Sequence, residues 1–107
     1  MLKTWIHRIK PGYEGRLHEW FEQLTARANE VRESYGGSGV RAEQAFILEG
    51  VTGSLLIYVA EVDDTGHAER TFDASTLSID IEHRRMMEDC LDGEIDATLT
   101  LAYNMSG

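Results

Sequence analysis

SLLIYVAEV, residues 54–62, alternates with the period of a β-strand yet is apolar on both of its sides. Leu55, Ile57 and Val59 make one set; Leu56, Tyr58, Ala60 and Val62 make the other. A strand that faces water on one side reads as apolar-in, polar-out, so a strand apolar on both sides is one covered on both. VRAEQAFILE (residues 40–49) precedes it across GVTG (50–53), the spacing an antiparallel hairpin requires. LKTWIHRI (2–9) repeats the two-sided pattern, with Trp5 and Ile9 opposite Leu2 and Ile6, and Pro11-Gly12 stops it.

Between these strands the period changes. Tyr13, Leu17, Trp20, Phe21, Leu24, Ala28, Val31 and Tyr35 recur in steps of three and four, which predicts one amphipathic helix ended by Gly36-Gly37-Ser38-Gly39. DDTGHAERTF (63–72) predicts one or two helical turns capped by Asp64 or Thr65. SIDIEHRRMMEDCLDG (78–93) predicts a second long helix with Ile79, His83, Met86, Met87 and Cys90 on one face. EIDATLTLAYN (94–104) alternates again and predicts a last strand with Ile95, Ala97, Leu99, Leu101 and Tyr103 on one side. The order β-α-β-β-α-β is that of a ferredoxin-like sandwich, an α+β fold with two helices on one sheet face. Two helices cannot cover both faces. A second copy of the chain is therefore expected on the open face, giving a homodimer whose sheets pack into a barrel.

The chain's 107 residues make one domain, 1–107, and its 42% apolar share suits a globule with a modest core. Ten Lys and Arg against 19 Asp and Glu give a net charge of -9, which opposes binding to nucleic acid or to anionic membranes. No apolar run approaches a membrane span, and MLKTWIHRIKPG lacks the apolar middle of a signal peptide. With Cys90 the sole cysteine and no internal disulfide possible, the expected compartment is the cytoplasm.

The chemistry-bearing residues are few. His83 lies in mid-stripe, which fits either a hydrogen-bonded core histidine or a ring aimed into a pocket. Arg84 and Arg85 read as surface partners of Glu82, Glu88 and Glu94. His83 and Cys90, seven residues apart on a helix, stand about 10 Å apart, too far to share a zinc ion, so no metal site is expected. Cys90 reads as a small buried hydrophobe near a helix C-terminus, where the dipole disfavours a thiolate. GGSGV (36–40) follows a helix and carries no Gly-Lys-Ser/Thr, so it is no phosphate cradle. DCLDGEID (89–96) lacks the alternating oxygen ligands of a calcium loop. Gly-x-Ser-x-Gly does not occur.

The element order, the two-sided strands, the KPG turn (10–12) and EHRRMMEDCL (82–91) resemble an uncharacterised bacterial family. That family is placed in the dimeric α+β barrel superfamily, beside antibiotic-biosynthesis monooxygenases and stress-responsive barrel proteins. The resemblance spans nearly the whole chain and is most specific over Asp80–Leu91. It implies fold and dimer, and it implies a ligand pocket between the helices and the concave sheet. His83, Tyr58 and His7 are then the candidate catalytic residues, with His83 as acid/base and Tyr58 or His7 orienting the substrate. Trp5, Glu43 and Glu61 are the candidate ligand contacts, the carboxylates only where their strand faces point inward. Some superfamily members hold haem through a histidine on the second helix, with an asparagine on the first strand and a tryptophan before the helix. Neither accompanies His83 here, so no cofactor is expected. Two functions stay open: a cofactor-independent oxygenase, isomerase or cyclase acting on an apolar or aromatic compound, and a non-catalytic ligand-binding or stress-related structural dimer.

Overall fold

Gly50 faces Gly53 across the hairpin, and from there the register runs without a break to Ala42 opposite Glu61. In this computed structural model, which describes residues Met1–Gly107, that hairpin is β2 (Val40–Gly50) and β3 (Gly53–Val62). Along β3 the first set, Leu56, Tyr58, Ala60 and Val62, is buried, and the second set, Leu55, Ile57 and Val59, is half-buried. β1 (Leu2–Ile9) pairs antiparallel with β3, and β4 (Leu91–Ile95) pairs antiparallel with β1. The sheet order is β2-β3-β1-β4, and the fold is mixed α+β, consistent with a ferredoxin-like arrangement.

The long first helix expected from Tyr13 to Tyr35 is two helices, α1 (Glu14–Ala26) and α2 (Ala28–Ser38). Twenty-three residues of straight helix would run roughly 35 Å, beyond an eight-residue strand of roughly 26 Å, so one rod would leave the sheet. The break falls at Arg27, whose amide still bonds the carbonyls of Gln23 and Leu24 while its own carbonyl accepts from Glu30 and Val31. The Arg27 guanidinium fixes the bend by pairing with Glu30 at 2.6 Å and with Glu82 at 2.7 Å. α2 passes through Gly36 and Gly37 to Ser38, and Gly39 closes it with a left-handed φ of 72°.

α3 (Thr65–Ala74) is capped by Asp64, whose side chain accepts the His67 amide at 2.8 Å. α4 (Ser78–Cys90) packs on α1 and α2, while α3 packs on α2. Arg84 is no surface partner of the carboxylates named above. It donates to the carbonyls of Phe72 (2.6 Å) and Ser75 (2.8 Å), the orphan acceptors at the end of α3. The central core joins Ile9, Leu17, Leu56, Tyr58 and Cys90. Cys90 is fully enclosed there, and burial raises its thiol, in keeping with a small hydrophobe.

The last strand is shorter than its alternation predicts. Pairing with β1 runs from Ile9–Leu91 to Ile6–Ile95, and residues 96–107 then leave the ladder. Ala97, Thr98 and Leu99 still lie near Leu2 and Thr4, but Leu99, Leu101 and Tyr103 are exposed. An alternating segment without a strand to bond cannot satisfy its backbone as a strand.

Asp80 is the buried carboxylate that ties the helical layer together. The Ser34 hydroxyl from α2 donates to both of its oxygens at 2.8 and 3.0 Å, and the Ser75 hydroxyl donates at 2.6 Å. Asp80→Ala should leave both hydroxyls without their acceptor and lower unfolding free energy by about 1–3 kcal/mol. Urea denaturation followed by circular dichroism measures this; an unchanged midpoint would show the cluster to be energetically idle.

Candidate functional site

The cross-strand register decides which side chains share the helix side of the sheet. Trp5 lies opposite Tyr58, and Tyr58 lies opposite Ala45. Glu43 is one diagonal step away, opposite Ala60, and His7 is opposite Leu56. Trp5, His7, Glu43, Ala45 and Tyr58 line an open cavity of about 830 Å³ between sheet and helices, together with His83 from α4. Glu61 does not join them. It lies on the reverse face beside Leu2, where it meets the Met1 ammonium at 2.7 Å.

His83 is the polar centre of the cavity wall. Its Nδ1 accepts the Trp20 indole N–H at 2.7 Å, and its Nε2 lies 2.9 Å from the Tyr58 hydroxyl. The rings of Trp20, Tyr58 and Phe72 surround it with centroids 5.6–5.9 Å away. An indole nitrogen can only donate, so Nδ1 must present a lone pair, and a neutral ring must carry its proton on Nε2. That proton points at the Tyr58 oxygen. Tyr58 is therefore an acceptor from His83, and its own O–H is left to donate elsewhere. Within the protomer its further neighbour is the Met87 sulfur at 3.9 Å, a weak acceptor.

The electrostatics agree with this assignment. Burial lowers His83 to about 4, against a smaller opposing pull from Asp80. Protonation would also set an Nδ1–H against the Trp20 N–H, which costs that hydrogen bond. Burial raises Tyr58 well above its ordinary value, helped by Glu43 and Tyr35, so the phenol keeps its proton. Glu43 is reached by water through the open cavity, yet the enclosing walls, with a smaller contribution from Asp80, push its carboxyl up to about 7. Tyr35, on the α2 wall, is raised chiefly by burial. Phe21, Leu24, Val31, Phe72 and Met87 supply apolar lining. Trp5 turns its indole N–H to Glu69 at 3.0 Å.

Five of the six residues expected around a pocket thus line one cavity: His83, Tyr58, His7, Trp5 and Glu43. The spacing of Trp20 places it in the core stripe and no more. A buried tryptophan needs an acceptor for its N–H, and that requirement was the available clue. Tyr35 reads only as part of the helical stripe and Asp80 shows no pattern of its own, because nothing local places α2 and α4 side by side. No three His, Cys, Asp or Glu side chains stand close enough to hold a metal ion.

Comparison with known families matches residues 2–106 to DUF6176, a family of unknown function. The chain belongs to that family. Neither the curated proteins nor the solved structures contain a match to it. Its helices include none long and apolar enough to cross a membrane.

A neutral His83 has a consequence for stability. The unfolded chain takes up a proton near pH 6.5, and the folded chain refuses it until about pH 4. Above 6.5 both states are neutral and this contribution is complete. As pH falls through the window the unfolded state gains, and stability should decline by up to about 1.4 kcal/mol per pH unit for the one proton. The decline should be smaller in His83→Gln by that amount. A His83 ring that titrates near 6.5 by NMR would contradict the buried, Trp20-bonded tautomer.

Proposed function

We propose that this chain is a cofactor-independent small-molecule enzyme that works by proton transfer in the cavity between its helices and sheet. The observation that supports this most is the convergence of Tyr58 and His83 on open space. A histidine kept only for the core would not border open space. Here the Trp20–His83–Tyr58 chain leaves the phenolic proton without a strong acceptor, at the wall of a cavity large enough for a small ligand. The lining favours an apolar or aromatic compound. The alternative, a ligand-binding or stress-related structural dimer without catalysis, shares the cavity and is separated from the first by turnover.

The working unit is a homodimer of the dimeric α+β barrel kind. Phe46 and Leu48 of β2 are 50% and 54% exposed on the sheet face opposite the helices, beside half-buried Ile6, Leu55, Ile57 and Val59. On the same face Thr4 is buried, and its hydroxyl has no hydrogen-bond partner within the protomer. The exposed alternation from Leu99 to Tyr103 gives a second copy more apolar surface to cover. A reducing cytoplasm suits the free Cys90.

β-Naphthol, an uncharged aromatic hydroxyl compound, tests the cavity by fluorescence titration. Ala45→Phe, which fills the space in front of Tyr58, should weaken its binding by about tenfold or more, as displacement of a well-packed ring predicts. Equal binding to both proteins would remove the cavity as a site. Light scattering should give twice the 12.1 kDa chain mass, and Phe46→Glu should halve it. A wild-type monomer at micromolar concentration would end the dimer proposal.

A further inference from the structure

Resting on the cavity assigned above, we infer that Glu43 is the general base of the site and Tyr58 its oxyanion donor, together acting on an uncharged ketone with an acidic C–H beside its carbonyl. The argument begins with the strands. Glu43 and Tyr58 come from neighbouring strands at diagonal positions of one pleated face, spaced on the order of 7–8 Å. Both side chains line the same cavity. Because both line one open cavity, a bound ketone can set its carbonyl oxygen against one group and its α-hydrogen against the other.

The two groups differ in the way such a reaction requires. The Tyr58 O–H has no strong acceptor in the protomer, since His83 already donates to its oxygen and only the Met87 sulfur lies near. It is a donor held at the cavity wall and left free to serve an oxygen on which negative charge collects. Glu43 has no hydrogen-bond or ion-pair partner among the side chains, and the cavity walls around it raise its carboxyl, which makes it a stronger base than an ordinary carboxylate. The step balances without any co-reactant. Glu43 takes the α-hydrogen as a proton, the C–H pair becomes the C=C bond of the enolate, and the carbonyl π pair moves to the oxygen held by Tyr58. Return of the proton to the same carbon gives exchange; return to a conjugated carbon shifts a double bond. Glu69, Asp73, Asp80 and Glu94 also line the cavity, against one cation, Arg32, which disfavours acids and phosphate esters as substrates. His83 positions the phenol without touching the substrate.

Deuterium uptake by β-tetralone in D₂O, followed by proton NMR with the intact protein, reads the C–H step directly. Exchange should exceed the buffer rate by about a hundredfold. Glu43→Gln should return it to the buffer rate, and Tyr58→Phe should lower it on the order of a hundredfold. His83→Gln, which keeps an N–H for Tyr58, should retain exchange that His83→Leu loses at equal β-naphthol binding. Exchange that survives Glu43→Gln would overturn the assignment of the base. Binding of β-naphthol with no exchange of the ketone in the wild-type protein would overturn this inference and leave the cavity standing. Absence of both would overturn the cavity and this inference together.

Discussion

The Trp20 indole can only donate, and the acceptor it finds is Nδ1 of His83 at 2.7 Å. That bond reaches from α1 to α4, and through Nε2 the same ring reaches β3 at Tyr58, so three elements meet on one imidazole. Its direction is dictated by the donor, which leaves the neutral ring one tautomer and leaves Tyr58 one role. The low dielectric of the surrounding rings strengthens the chain of bonds and disfavours a charge on its middle member. Core packing and the geometry of the candidate site are therefore the same contact seen from two sides.

Around that contact the helical layer is held by charge-assisted bonds placed at its breaks. Arg27 fixes the bend between α1 and α2 and links it to α4 through Glu82. Arg84 closes the end of α3, and Asp80 gathers hydroxyls from α2 and from the turn ahead of α4. These ties hold α2 over the sheet with an open cavity beneath it, lined by Tyr35, Val31 and Ala28. A layer held by side-chain bonds at its edges can keep space inside that a layer held only by apolar contact would close.

The two faces of the sheet serve different ends. The face bearing Trp5, Tyr58 and Glu43 builds the cavity, and the face bearing Phe46, Leu48 and Ile57 is apolar, with Phe46 and Leu48 about half exposed. Apolar area left in water costs roughly 25 cal/mol for each Å², which is the physical pressure behind the proposed pairing of two copies.

Local pattern is enough for the hairpin, for the two-sided strands and for α4, and it narrows the α3 cap to Asp64 or Thr65, because each of these depends on neighbours within a few residues. It also placed His83 correctly in mid-stripe. Local pattern could not show that the Tyr13–Tyr35 stripe breaks at Arg27, since the limit there is the length of the sheet beneath it. Nor could it show that EIDATLTLAYN stops being a strand after Ile95, because a strand exists only where another backbone runs beside it. The same holds for the site. Glu43 and Glu61 are equivalent in the sequence, both acidic residues in strands, and a shift of one residue exchanges their faces. Register, a long-range property set by pairing, turned one carboxylate into the cavity and the other to the reverse face. Trp20, Tyr58 and His83 lie on three elements up to 63 residues apart, and only the packing of those elements made them neighbours.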